Sequence, residues 1–335
     1  MGARRVGIVG AGSVTTLHVP FWKRLGWEVS VHALHGAQSL AERYGLQVQP
    51  TLEGLLASVD VVDVCTPSGS HAAVAEAAVR QGLPVVCEKP MALSFKDALH
   101  LAQEARRRDV LVLPAHVVRF FGQYDALHRA VRAGALGDLA ILRFVRGGSK
   151  PTGDWFLDEA QSGGILFDLM VHDLDQASWL GGEVRTVHAV QNPASSNGQV
   201  PPEVVAHATL VHDSGAISQI QSFWGSPGFS FGPSFDVSGS AGRLVSSPAH
   251  ELTVFEDLPG LEVEQSYLPP ETAEESPYFT QLAEFSRTLL DDAPSCVDVW
   301  DGVTAVALAE AARESVNRGE PVDFTPWREQ IGGAR

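Results

Sequence analysis

The tightest constraint on this chain is a rhythm in its first third. From Arg4 to about Ala115, short apolar runs alternate with helix-period stretches. The runs are Val6-Gly7-Ile8-Val9, Glu28-Val29-Ser30-Val31, Val61-Val62-Asp63-Val64, Leu83-Pro84-Val85-Val86 and Val110-Leu111-Val112-Leu113, with helical segments such as His71 to Gln81 and Ser94 to Arg108 between them. Strand, helix, strand at this spacing implies a parallel sheet covered on both faces, the doubly wound architecture. Such sheets bind ligands at the carboxyl ends of their strands, so the residues just after each run matter most.

After about Gly137 the rhythm changes. Leu139 to Val145, Val184 to Val190, Val204 to Val211 and Ile217 to Phe223 alternate nearer period two, separated by Gly, Pro, Ser and Asn. This predicts an α+β domain with a large, mainly antiparallel open sheet, one face exposed or covered by a partner. One helix, about Leu169 to Leu180, interrupts it. Two more close the chain, about Thr272 to Leu290 and Trp300 to Arg318, and Asn192 to Pro202 reads as a mobile loop. For 335 residues the expected division is residues 1–120 and residues 121–335, with the C-terminal helix packing back on the first domain.

Composition narrows the function classes. Lys and Arg number 24 against 40 Asp and Glu, a formal charge of −16, which disfavours a general grip on nucleic acid. Hydrophobic residues at 44% with charged ones at 19% exclude disorder. Cys65, Cys87 and Cys296 are too scattered for a disulfide framework or a zinc site and read as buried fillers. No apolar run approaches the roughly 20 residues of a membrane helix. Arg4-Arg5 only mimics a twin-arginine signal, and Met1-Gly2 lacks the Ser or Thr of a lipidation motif at Val6. A cytoplasmic protein acting on a small molecule is expected, with no nucleic-acid or membrane partner.

The first run leads into Gly10-Ala11-Gly12-Ser13-Val14-Thr15, a G-x-G-x-x-G frame with Thr15 at the third glycine. The first glycine permits the tight turn, the second lets backbone approach a pyrophosphate, and the helix N-terminus supplies N–H donors. In its strand–turn–helix context this predicts a dinucleotide-binding Rossmann domain. Thr15 implies either a slightly wider helix–strand fit or a hydroxyl facing the phosphates. The second strand ends at Val31-His32-Ala33-Leu34-His35, without the acid that takes ribose hydroxyls and without a base for a 2′-phosphate. NAD and NADP both stay open, NAD slightly favoured. His32 and His35 read as loop histidines. No carboxylate or cysteine stands beside them, so no metal site is expected there.

Later strands end in Thr66-Pro67-Ser68-Gly69-Ser70-His71 and in Cys87-Glu88-Lys89-Pro90. The second half holds Gly163-Gly164-Ile165-Leu166-Phe167-Asp168 and Leu169-Met170-Val171-His172-Asp173-Leu174-Asp175. Together these motifs resemble the glucose–fructose oxidoreductase / inositol 2-dehydrogenase (Gfo/Idh/MocA) family over nearly the whole chain. The resemblance implies a catalytic set of Lys89, Asp168 and His172. It implies cofactor contacts from Gly10, Gly12, Ser13, Val14, Thr66, Pro67, Ser68, His71, Glu88 and Lys89. Arg119, Trp155, Phe156 and Tyr278 fall where such proteins line the substrate pocket, although ordinary core packing accounts equally well for the three aromatics.

The chemistry of the set stands on its own. Removing hydride from a carbinol carbon requires the hydroxyl proton to leave as well, and an imidazole titrating near neutrality can take it. A lysine ammonium on the same oxygen stabilises its developing charge and disfavours protonated imidazole. Asp168, four residues before His172, either orients it or binds a substrate hydroxyl. Without a third ligand the pair makes no metal site. The expected activity is an NAD(P)-dependent dehydrogenase or reductase acting on a secondary alcohol of a sugar, inositol or related polyol. Two rivals are an NAD-requiring glycoside hydrolase and a non-catalytic cofactor-binding regulator. The resemblance also implies association through the open sheet, as a homodimer or homotetramer.

Overall fold

The computed structural model describes residues 4–247 and 276–335, which form two compact units. Among the described residues, one unit runs to Phe120 and takes up Ser276 to Val303; the other holds Phe121 to Ser247 and Thr304 to Gly333. The chain therefore returns to its first unit, which a single division at residue 120 does not capture. The helix Pro277–Asp291 belongs to this first unit. It packs on helix Thr15–Arg24 and on the turn Val117–Phe120. Phe279 meets Phe21 edge-on, Phe285 meets Phe120, and Trp27 Nε1 donates to Ser286 Oγ at 2.9 Å. Residues 272–275 of the helix expected from the sequence lie outside the described residues.

In the first unit the strands are β1 (Arg5–Val9), β2 (Glu28–His32), β3 (Gln47–Val48), β4 (Val61–Val64), β5 (Val85–Glu88) and β6 (Val112–Ala115). They form one parallel sheet in the order β3-β2-β1-β4-β5-β6. Every residue of β4, β5 and β6 is buried, as expected of a sheet covered on both faces. Each fully buried valine or isoleucine here stabilises the fold by roughly 1.5–3 kcal/mol. The chain runs outward from β1 to β3 and then crosses to β4 on the other side of β1. That reversal makes the β1/β4 junction the point where a ligand crevice opens.

The second unit contains β7 (Leu139–Ser149), β8 (Val184–Asn192), β9 (Val204–His212), β10 (Ile217–Gly225), β11 (Gly232–Gly239), β12 (Arg243–Ser246) and β13 (Val322–Asp323). Their order is β12-β11-β7-β10-β9-β8-β13, antiparallel throughout except where β10 runs parallel to β7. β9 buries Val204, Ala206, Ala208 and Leu210 and turns Val205, His207 and Thr209 outward, the expected period of two. Within the stretch Asn192 to Pro202, Gln199 forms isolated bridges with Asp158 and Ser196.

One helix of this unit matters most. Leu166–Met170 is a single π-helical turn that continues as the α-helix Val171–Gly181. Its anchor is a buried ion pair. Arg146, on β7, donates from Nε and Nη2 to Asp173 at 3.0 and 2.8 Å, and Nη2 also reaches the Tyr124 hydroxyl at 3.2 Å. Burial pushes the Asp173 carboxyl above its ordinary pKa, and Arg146 opposes that shift only in part. Removing one partner of such a pair strands the other charge, so Asp173→Ala should lower the unfolding free energy by about 3–5 kcal/mol in urea titration.

Candidate active site

The sheet of the first unit brings the predicted cofactor residues to one edge. Val9 pairs with Val64 and Val64 with Cys87, so the segments beginning at Gly10, Cys65 and Glu88 leave the sheet side by side. Gly10 has φ +119°, and a Cβ built there would lie 2.3 Å from the Cys65 carbonyl oxygen. Only glycine fits. Gly12 differs, since nothing lies within 4 Å of where its Cβ would be. Helix Thr15–Arg24 then begins with no side-chain cap and no acid in its first turn. Gly12 is exposed, and the helix end that follows it is of the kind whose N–H groups receive phosphates.

Thr15 is fully buried, and its Oγ1 donates back to the Gly10 carbonyl at 3.3 Å. The hydroxyl thus closes the turn internally. At the end of β2, His32 Nδ1 lies 3.0 Å from the Gln49 carbonyl, while Leu34 and His35 are exposed. Gly36 approaches Ala11, which brings this loop beside the glycine turn.

At the end of β4, Ser70 Oγ donates to Thr66 Oγ1 at 2.8 Å and to the Pro67 carbonyl, shaping the turn Ser68–Ser70. His71 is buried as a staple: Nδ1 lies 2.8 Å from the Pro90 carbonyl and Nε2 2.7 Å from that of Thr66. It thus ties the loop after β4 to the loop after β5. Burial draws its pKa below the ordinary imidazole value, against the two carbonyls that favour the cation. Glu88 is buried, its Oε2 accepts the Lys89 backbone N–H at 3.1 Å, and the Lys89 side chain is half-buried.

Three side chains stand out that sequence reading passed over or took for fillers. His18 is fully buried, with Nδ1 2.8 Å from Asp63 Oδ2, and Trp22 Nε1 donates to the same oxygen at 2.7 Å. Cys65 Sγ lies 3.4 Å from Asp63 Oδ1. His18, Asp63 and Cys65 place ligand-type atoms within 4.8 Å of one another, yet donors of this protein already occupy both Asp63 oxygens. Burial, with Asp63 adding to it, pushes the Cys65 thiol up to about 12, so it remains a thiol. Burial also opposes charge on His18, but Asp63 and Cys65 together more than offset it and hold the imidazole well above its ordinary pKa. An acid inside an otherwise apolar strand, Val61-Val62-Asp63-Val64, was the available signal. Cys296 is a correction too: it is exposed, because it sits in the loop before helix Val299–Arg318.

Two proposed pocket residues are held within the first unit. Arg119 has a buried guanidinium whose Nη1 donates to the Cys296 carbonyl at 2.6 Å and to Asp301 at 3.1 Å. Tyr278 is buried with its ring 6.4 Å from that of His18. In the second unit, Asp168 lies in the π turn and His172 in the helix that follows, both buried. Trp155 stacks on Phe156 at 3.8 Å, and Phe156 meets Trp224 edge-on. Both Trp155 and Phe156 are half-buried.

A parallel doubly wound sheet with a glycine turn at its switch point is an architecture that binds dinucleotides. Residues 4–116 match the oxidoreductase family with an NAD-binding Rossmann fold, and residues 124–245 match the GFO/IDH/MocA C-terminal domain. The chain belongs to the Gfo/Idh/MocA family. It is 27% identical to a myo-inositol 2-dehydrogenase of Thermotoga maritima over 95% of this chain and 98% of that one. It is 29% identical to the rhizopine catabolism protein MocA of Rhizobium meliloti, over 94% and 95%. Among solved structures, GenD2 from gentamicin A biosynthesis, in complex with NAD, superimposes with a TM-score of 0.83 at 28% identity, covering 96% of this chain and 97% of that one.

The two glycines separate folding from binding. Gly10→Ala should destabilise the protein, because its Cβ meets backbone. Gly12→Ala should leave the urea midpoint unchanged while weakening NADH binding, read by fluorescence titration, by about tenfold or more.

Proposed function

We propose that this enzyme oxidises a secondary alcohol of a sugar, inositol or related polyol, or reduces the corresponding ketone, with NAD as its cofactor. The reading rests on the sequence motifs that carry Lys89, Asp168 and His172, which fall within the two matched family domains. The glycine turn and the ends of β4 and β5 would hold the dinucleotide, whose nicotinamide accepts or returns the hydride. His172 takes the hydroxyl proton as the carbinol carbon gives up hydride, and returns it in the reverse direction. Lys89 donates a hydrogen bond to the same oxygen and stabilises its developing negative charge. Asp168 orients His172 or holds a second substrate hydroxyl. Trp155 and Phe156 offer an apolar ring face suited to the C–H face of a sugar-like ring.

Support for a sugar-like substrate comes from the relatives named above, one of which is a myo-inositol 2-dehydrogenase. The test is nicotinamide absorbance with NAD+ and NADP+ across a panel of sugars and polyols. Turnover should appear on at least one cyclic polyol or sugar and should be faster with NAD+. On that substrate His172→Ala should lower kcat by about 10²–10⁴-fold and Lys89→Ala by about 10²–10³-fold. Unchanged turnover in His172→Ala overturns the assignment. Cleavage of an aryl glycoside without net nicotinamide reduction replaces it with the hydrolase reading.

No described helix is long and apolar enough to cross a membrane, and a cytoplasmic protein fits use of a nicotinamide cofactor. The outward face of the second sheet exposes Val190, Val205, Ile217 and Val245. Arg143, Gln219 and Asp236 share that face with them, a mixed surface of the kind that interfaces use. We assign it to self-association, and light scattering at micromolar concentration should return the mass of a homodimer or homotetramer.

A further inference from the structure

Behind the cofactor edge of the first unit lies a row of ionisable groups that the proposed mechanism does not use. Asp63 is saturated by His18, Trp22 and Cys65. His18 therefore presents Nδ1–H to Asp63 and turns its other ring nitrogen away. That nitrogen, Nε2, lies 3.5 Å from Glu88 Oε1. Both atoms are buried, and neither has a hydrogen-bond partner among the described residues. Glu88 uses its second oxygen, Oε2, to accept the backbone N–H of Lys89.

Two buried acceptors facing each other would be doubly unfavourable. Each would go unsatisfied at a cost of about 1–3 kcal/mol, and their lone pairs would repel. A neutral imidazole donating to Asp63 has only a lone pair left for a carboxylate. A proton on Nε2 removes the conflict and turns the 3.5 Å approach into an ion pair. We infer that His18 is an imidazolium bridging Asp63 and Glu88, and that it acts as a positioning residue by fixing the Glu88 carboxylate and, through it, the backbone of Lys89.

Charges then alternate along the row: Asp63 negative, His18 positive, Glu88 negative, Lys89 positive. The groups that face His18 are Trp22 on its own helix, Asp63 from β4, Cys65 just after that strand, Glu88 from β5, and Tyr278 from helix Pro277–Asp291; Cys87 and His71 adjoin Glu88. Of these, Asp63 and Glu88 supply negative charge at neutral pH. The raised pKa of His18 comes from Asp63 and Cys65, so the cation is favoured independently of Glu88. The sign follows from that direction. Stability contributed by the bridge is fully present below the ordinary imidazole pKa of 6.5 and is lost only as pH rises through the higher folded-state value.

The functional consequence rests on the reading of Glu88 and Lys89 as cofactor and catalytic groups, so the test has two arms. The first uses the full chain without cofactor, labelled with ¹⁵N-histidine, and long-range ¹H–¹⁵N spectra from pH 6 to 9. His18 should show both ring nitrogens protonated well above pH 6.5, and Glu88→Gln should shift Nε2 while leaving Nδ1 little changed. A neutral His18 at pH 7, or an Nε2 indifferent to Glu88→Gln, overturns the inference. Stoichiometric zinc in the purified protein, with Nδ1 unprotonated, overturns it as well.

The second arm titrates NADH into wild type, His18→Gln and Glu88→Gln. Affinity in wild type should hold through neutral pH and fall at alkaline pH. Both variants should bind about tenfold more weakly, the equivalent of one charge-assisted contact, with a flatter pH profile. Wild-type pH dependence in both variants overturns the positioning role. If His18→Gln fails to fold, the nearly isosteric Glu88→Gln still decides. If wild type saturates with neither NADH nor NADPH, the cofactor reading fails while the spectra still judge the bridge.

Discussion

The structure of the first unit turns on how closely β1 approaches β4 where both strands end. Gly10 donates its N–H to the His32 carbonyl and Cys65 donates to that of Val9, each at 2.8 Å. Three neighbouring strands are thereby held in step up to the last residue. A side chain at position 10 would run into the Cys65 carbonyl, so the backbone conformation of one glycine decides where the loops after β1, β2 and β4 emerge. Everything proposed for cofactor binding follows from that alignment. The turn faces its helix end, Thr15 closes it from inside, and the His71 staple carries the register across to β5.

The two sheets were not equally legible, and the reason is phase. In the second unit the strands beginning at Leu139, Val184, Val204 and Ile217 start where the alternation starts, because a period of two with one wet face marks each residue as in or out. In the parallel sheet both faces are buried, and an apolar run carries no such mark. The runs beginning at Leu83 and Val110 became strands only from Val85 and Val112. β3, two residues long, has no period at all, and β13 is equally short. The return of Pro277–Asp291 to the first unit was hidden for another reason. An amphipathic helix advertises an apolar face but not the sheet that will receive it.

The candidate site was legible wherever chemistry comes with a fixed spacing. Glu88-Lys89-Pro90, the glycine turn and Asp168 with His172 are of that kind. The groups behind them were not, because each has a bland equivalent: a histidine in an apolar helix, a cysteine in a strand, an arginine after a turn. His18 and Cys65 gain meaning only once the sheet brings Asp63 between them, and Arg119 only once Cys296 and Asp301 close on it. The π turn at Leu166–Met170 was invisible as well, since the i→i+5 pattern has no residue signature distinct from an ordinary apolar helix.

A charge of −16 would seem ill suited to a ligand bearing two phosphates. Screening limits that objection. At physiological ionic strength, exposed charges act over about 8 Å, so most of the acidic surface contributes little at the glycine turn. What acts there is local: an uncapped helix end without acidic residues in its first turn, and backbone N–H groups that need no counter-ion. Just behind it, the acids Asp63 and Glu88 are not loose negative charges but are joined to His18. With the bridge in place, the row from Asp63 to Lys89 sums to zero. An acidic protein can therefore present a locally neutral, donor-rich edge to a dinucleotide. On this account the proton on His18 keeps two buried carboxylates from opposing the ligand that the glycine turn is shaped to hold.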